Sequence, residues 1–228
     1  MTRLHLVVEG QSEERFVSGL LRAHLAALGV YADARRVETG RDKRSSRIYR
    51  GGLPEYARVK KDLSRWMRQD DHPEVFFSTM FDLFALPCDF PQYEAARGEA
   101  DPYRRVAALE LAFAQDISHR RFIPYIQLHE FEALLLSDPA RFEVEFADCS
   151  EAIDGLRRMA GAFRSPELID DGQETAPSKR IIKELPDYAG RKASAGPVIA
   201  KAIGLEKMKA KCVHFREWLV KLERLGGE

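Results

Sequence analysis

The sequence predicts an α/β protein: a small, mostly parallel sheet flanked by helices, with a C-terminal helical extension. Three observations predict it. A short apolar strand, Leu4-His5-Leu6-Val7-Val8, runs straight into Glu9, Gly10 and a helical pattern. Up to Leu128 strand and helix patterns then alternate, as in a parallel sheet covered on both faces. Beyond Pro139 the pattern is helical only. The expected division is an α/β core over residues 1–140 and a helical extension over 141–228, packed on that core.

The elements follow in order. Leu4, Leu6, Val7 and Val8 form a mostly apolar run of the kind buried inside a parallel sheet. Gly10 lets the chain turn, Ser12 is placed to cap the next helix, and Glu13 and Glu14 fall in its first turn, where acids suit the dipole. Phe16, Val17, Leu20, Leu21, Leu25 and Leu28 repeat at a helical spacing, and Gly29 ends that helix. Val30 to Val37 reads as a second strand. Glu38 to Gly52 reads as a loop. Its Arg41, Lys43, Arg44 and Arg47 suit contact with phosphates, or simply a charged loop in water.

Pro54 opens a helix with Tyr56, Val59, Leu63, Trp66 and Met67 on one face. Glu74 to Met80 is the third strand. The segment after it, Phe81 to Pro91, is apolar enough to pack down and fix Asp82 in place. Asp101 to Asp116 is a helix. Arg121 to Leu128 is a strand in which Pro124 favours an edge or a bulge. His129 to Leu136 reads as a helix, with Phe131, Leu134 and Leu135 buried, Glu130 bordering that side and Glu132 nearly opposite. His129 and Glu132, three residues apart, can meet on such a helix. Later helices are expected over Glu151–Phe163, Ser178–Leu185, Pro197–Ile203 and Cys212–Leu225.

Composition narrows the function. The 228 residues are 45% hydrophobic, and Lys+Arg and Asp+Glu are both 36, so any pull on nucleic acid must come from a local patch. Cys88, Cys149 and Cys212 form neither a CxxC pair nor a disulfide framework. No apolar run is long enough to span a bilayer and the first residues carry no signal-like pattern, so a soluble, cytoplasmic protein with no membrane partner is expected. Phosphate-loop, dinucleotide-binding and nucleophile-elbow motifs are absent, and no Cys/His spacing suits zinc.

The chemistry lies in carboxylates. Glu9 and Asp82 each follow a strand. If those strands are neighbours, both acids meet at the carboxyl edge of the sheet, where open α/β sheets place ligands. Converging carboxylates need a cation or a proton between them, and Mg²⁺ takes oxygen ligands there. His129, Glu130 and Glu132 can extend the cluster, and the sequence leaves open which of the two glutamates faces it. Lys179, just after Pro177-Ser178, falls in the first turn of a helix, where it suits either a phosphate or plain solvent.

These residues carry a resemblance. Val8-Glu9-Gly10-Gln11-Ser12-Glu13 after a first strand resembles the opening motif of the TOPRIM domain, the catalytic core of topoisomerases, primases and overcoming-lysogenization-defect nucleases. Its second motif is Asp-x-Asp, of which Asp82-Leu83-Phe84 matches only the first acid. Nearly the whole chain resembles a bacterial TOPRIM-like family catalogued only as a domain of unknown function. The marks are Val8-Glu9-Gly10, Thr79 to Leu83, His129 to Leu135, Glu174 to Arg180, and His214-Phe215 with Trp218-Leu219.

The resemblance implies a Mg²⁺- or Mn²⁺-dependent nuclease of DNA or RNA in a bacterial defence or DNA-processing system. Glu9 would be its acid, base or metal ligand, Asp82 its principal metal ligand, and Glu130 or Glu132 the replacement for what Phe84 lacks. It also implies an ATP-binding-cassette-type ATPase partner and allows a homodimer. The alternatives are a non-catalytic binding or regulatory subunit of an ATPase complex, favoured by neutral charge and Phe84, and phosphoryl chemistry on a nucleotide.

Overall fold

The computed structural model describes residues 1–228 except 42–47, 51, 54, 170, 171, 173, 174 and 228; over 38–41 and 48–50 it describes the backbone alone. The described chain runs β1 (Thr2–Val8), α1 (Gln11–Phe16), a π turn (Val17–Leu21), α2 (Arg22–Ala27), β2 (Val30–Arg36), β3 (Glu38–Arg41) and β4 (Ile48–Arg50). It continues through α3 (Tyr56–Gln69), β5 (Val75–Asp82), α4 (Tyr93–Arg97), α5 (Pro102–Ile117), β6 (Phe122–Ile123), β7 (Ile126–Gln127) and α6 (Glu132–Leu135). The helices α7 (Ser150–Gly161), α8 (Pro177–Glu184), α9 (Lys192–Ile203), α10 (Leu205–Lys211) and α11 (Val213–Glu223) follow.

The fold is α/β, as expected. A parallel sheet has the order β2-β1-β5-β6, with β7 also pairing β5. Strands β1 and β5 are neighbours, with Arg3 beside Val75 and Val8 beside Met80. Pro124 splits the expected last strand into two two-residue pieces at the sheet edge, because proline cannot donate to the ladder.

Alternation along β1 divides the core. Leu4, Leu6 and Val8 face one apolar cluster, which includes Phe16, Leu21, Phe131, Tyr188, Ile199, Phe215 and Trp218. Val7 faces the other, with Leu63, Trp66, Phe77, Phe81, Leu109 and Phe113. The helices beyond residue 140 thus share one core with α1 and a face of the sheet.

Two buried anchors fix α11. The Glu167 carboxylate accepts the N–H groups of Phe215 (2.9 Å) and His214 (3.1 Å) at the start of α11, and it is fully buried. Trp218 Nε1 donates to Ser78 Oγ on β5 at 2.9 Å, and its ring stacks on Tyr125 at 4.2 Å. The closing His214-Phe215 and Trp218-Leu219 marks therefore bind the last helix to the sheet.

Several expectations are corrected. Residues 38–52 are not all loop: β3 and β4 pair antiparallel, with a register shift between Glu38 and Gly40. Five basic residues and no clear apolar alternation hide this ribbon in the sequence. Gly10, not Ser12, stands at the N-cap of the first helix. Helix α3 starts at Tyr56, whose N–H donates to Asp89; Pro54, expected to open it, lies outside the described residues. Asp82 closes β5 rather than following it. Helix α6 spans only Glu132–Leu135, and His129 precedes it with a φ of 63°, so it does not share a helical face with Glu132. Helix α9 begins at Lys192 and carries Pro197 inside it, and α10 was not expected at all.

Candidate functional site: carboxylates at the edge of the sheet

Adjacency of β1 and β5 brings Glu9 and Asp82 together. The Asp82 N–H donates to Glu9 Oε2 at 3.3 Å, and the Glu9 N–H donates to Met80 O at 3.2 Å. Both acids line a pocket of about 330 Å³ with Gly10, Ser12, Glu13, Phe84, Ala85, Glu130, Glu132 and Lys192. This is the carboxyl edge of a parallel sheet, where open α/β sheets place their ligands, and Gly52, just past β4, donates its N–H to Glu9 O there at 3.1 Å.

Each side chain is held by an identifiable element. Glu13, three residues beyond the N-cap of α1, reaches back so that its Oε2 accepts the Gly10 N–H at 2.8 Å. That bond turns a first-turn acid into a buried one beside Glu9. Glu130 accepts from Ser178 N–H at 2.8 Å and Ser178 Oγ–H at 3.0 Å. Its carboxylate thus occupies the start of α8. Glu132 is buried, accepting from Tyr188 O–H at 3.3 Å and facing Lys192 Nζ at 3.6 Å. Lys192 sits in the first turn of α9, tied to α1 by the bond from Arg15 Nη1 to Ala193 O at 2.7 Å.

The electrostatics follow from this crowding. Burial, then the Glu13 charge, pushes the Glu9 carboxyl up to about 7. Burial and Glu9 hold Asp82 well above the usual carboxylate range. Burial raises Glu13, and it lifts Glu132 to about 7 against the opposing pull of Lys192. Asp82 as a residue keeps some exposure, but its Oδ1 is buried and has no hydrogen-bond partner among the described residues. That oxygen is short of a cation or a proton.

All four expected acids, Glu9, Asp82, Glu130 and Glu132, line this one pocket. Both glutamates face it, and Glu132, expected nearly opposite the buried side, is the more buried. All four residues of the short α6 are buried and it touches both α8 and α9, so a single-face reading fails there. Lys179 is exposed and does not line the pocket, and the helix end where it was expected to seat a phosphate already holds Glu130. The phosphate-contact reading of Arg41, Lys43, Arg44 and Arg47 falls outside the described side chains. Glu13 and Lys192 were not foreseen as site residues. Glu13 had a signal, an acid three residues after a glycine N-cap; Lys192 had none, because it arrives from a distant helix.

The donor set is all oxygen, which suits a hard cation such as Mg²⁺ or Mn²⁺. Among the described residues, no three His, Cys, Asp or Glu side chains already stand close enough to hold a metal ion. A larger cavity of about 420 Å³ lies between α5 and α11, but its Glu110 and His214 are already spent on each other. His214 Nε2 lies 2.9 Å from Glu110 Oε1, and the same oxygen accepts the Ile126 N–H at 2.8 Å.

Fold and pocket together define an α/β protein with an acidic site at the carboxyl edge of its sheet. Residues 8–223 match the family described as Domain of unknown function (DUF4276), and the chain belongs to that family. No curated protein and no solved structure matches the chain. Among the described residues no helix is long and apolar enough to cross a membrane.

Proposed function

We propose that this protein is a divalent-metal-dependent phosphodiester hydrolase acting on nucleic acid, with a TOPRIM-like core. The observation that carries the reading is the meeting of Glu9 and Asp82 at the ends of adjacent parallel strands, in a pocket that also draws in Glu13, Glu130 and Glu132. Asp82 and Glu132 would hold a Mg²⁺ or Mn²⁺ ion, with Glu130 in the same pocket. When bound, such an ion would supply Lewis acidity at the phosphate and make a water more acidic.

The chain's own groups supply the rest. Glu9, lifted to about 7, exchanges a proton readily near neutral pH. It would give its proton to the leaving oxygen as the phosphorus–oxygen ester bond breaks, while the water whose oxygen bonds to phosphorus releases its own proton to solvent. Lys192 offsets the charge of Glu132, and Ser178 at the start of α8 holds the Glu130 carboxylate in place at the pocket wall.

The resemblance adds an ATP-binding-cassette-type ATPase supplied in trans, a role in a cytoplasmic defence or DNA-processing system, and homodimerisation. Co-purification with a neighbouring ATPase tests the first of these. The opposing reading, a binding module that kept the fold, is favoured by Phe84 and by the absence of a ready metal set among the described residues. One experiment separates the two. Purified protein is incubated with labelled DNA and RNA in Mg²⁺, Mn²⁺ or EDTA, beside Glu9→Gln and Asp82→Asn. Metal-dependent cleavage lost in both folded variants is expected; equal products in all three proteins would assign the activity to a contaminant.

A further inference from the structure

Phe84 stands apart from its own segment. Leu83, Leu86 and Phe90 are buried, whereas Phe84 is 50% exposed. A lone exposed apolar side chain is ordinary; the position of this one is not. It is two residues past Asp82 and lines the acidic pocket. It also lines a second hollow of about 190 Å³, shared with Tyr93, Arg97 and Leu109. The ring therefore forms a ridge between the acids and the next binding space along the surface.

The ridge is held firmly. Phe84 lies in a 3-10 turn (Leu83–Ala85) anchored by two buried leucines, and its N–H donates to His129 O at 3.1 Å. Beyond it, Arg97 is exposed at the end of α4, paired loosely with an exposed Glu94 at 3.5 Å. Thus a carboxylate pocket and a hollow lined by an exposed guanidinium meet at one exposed aromatic residue, Phe84, which lines both.

We propose that Phe84 is a stacking platform for an unpaired nucleobase of a single-stranded nucleic acid, adjacent to the phosphate held over Glu9 and Asp82. This rests on the hydrolase reading and gives it a substrate class. An aromatic ring accepts any base through its π face, so the platform selects unstacked strands rather than a sequence. Arg97 faces the next phosphate. A paired duplex keeps its bases stacked on each other and cannot offer one to the ring without opening.

The test is binding in Ca²⁺, a hard cation that takes the same oxygen ligands and neutralises the acids, with the oligonucleotides checked for intactness after each titration. Single-stranded oligonucleotides carrying 2-aminopurine are titrated with wild type, Phe84→Ala and Phe84→Trp. Wild type and F84W are expected to quench the fluorescent base; F84A is expected to quench little and to bind roughly ten- to a hundredfold more weakly. Because the ring is exposed, all three should melt alike. Equal quenching and affinity in F84A, or no quenching by wild type, would overturn the platform. A second measurement separates it from the hydrolase reading. If wild type cleaves single strands with metal and F84A matches it on normal and abasic substrates, the platform fails and the hydrolase stands. If F84A loses quenching while no protein cleaves, the platform stands and the hydrolase fails.

Discussion

Glu9 shows how a single position acquires chemistry from its neighbours. Its N–H continues the ladder to Met80, its carboxylate takes the N–H that closes β5, and Glu13 crowds it from α1. Glu9→Gln keeps the hydrogen bond and removes the charge. Its expected effect is a loss of metal-dependent turnover of at least about a hundredfold, with an unchanged circular dichroism spectrum. Retained turnover would move the proton-transfer role elsewhere. Glu9 and Asp82 were legible in the sequence because each acid ends a run of strand residues. Glu13 was read only as a helix-dipole acid, since the bond back to Gly10 that buries it appears only once the turn is built. Lys192 was not legible, because a lone lysine after Arg191 gives no local sign that its helix starts beside Glu132.

At the scale of elements, close approaches decide the geometry. Gly196 faces Tyr188 and Phe131 across α9, and a Cβ there would lie 3.2 Å from the Tyr188 hydroxyl and 3.3 Å from Phe131 Cε1. That hydroxyl is bonded to Glu132 and cannot give way freely. Gly196→Ala gains about 1 kcal/mol of helix propensity but overpacks a filled site, which costs about 1–3 kcal/mol. Net destabilisation by urea unfolding is expected, together with weaker metal binding through Glu132; a more stable variant would show that α9 can shift. Glu167→Ala leaves the His214 and Phe215 N–H groups buried without their acceptor. It should cost about 2–4 kcal/mol in the same measurement, and a loss below about 0.5 kcal/mol would mean that water replaces the carboxylate. The strand–helix alternation was readable because β1, β5 and their crossover helices carry regular apolar periods. The β3–β4 ribbon was not, because its charged residues show no apolar alternation to announce the pairing. Pro124 did announce the broken edge strand.

The whole molecule joins its site to its stability through protons. Glu9 and Glu132 rise from an ordinary 4.5 to about 7 on folding, and Asp82 and Glu13 rise too. Well below their ordinary values, 4.5 for the glutamates and 3.8 for Asp82, these groups are protonated in both states. Between 4.5 and about 7 the folded state holds more protons than the unfolded one, so stability falls as pH rises through that window. For Glu132 alone the loss is on the order of 3 kcal/mol. His214 adds a slope of the same sign: burial lowers it, but Glu110 outweighs burial and raises it. His119, lowered by burial and by Arg121, slopes the other way. Asp70 and Asp116, both lowered, contribute stability that is lost only as pH falls below the ordinary carboxylate range. The acid cluster is isolated by comparing proteins rather than pH values. In EDTA the melting temperature of wild type should fall from pH 5.5 to pH 8, and that fall should be shallower in Glu9→Gln and Glu132→Gln. Mg²⁺ or Mn²⁺ at a hundredfold excess over its dissociation constant should restore about 2.7 kcal/mol to wild type, and at one fixed cation concentration the gain should be larger at pH 8 than at pH 6, because binding displaces protons from Asp82 and Glu132. Parallel pH slopes in all three proteins, with no recovery from either cation, would show that the pocket neither titrates nor takes metal.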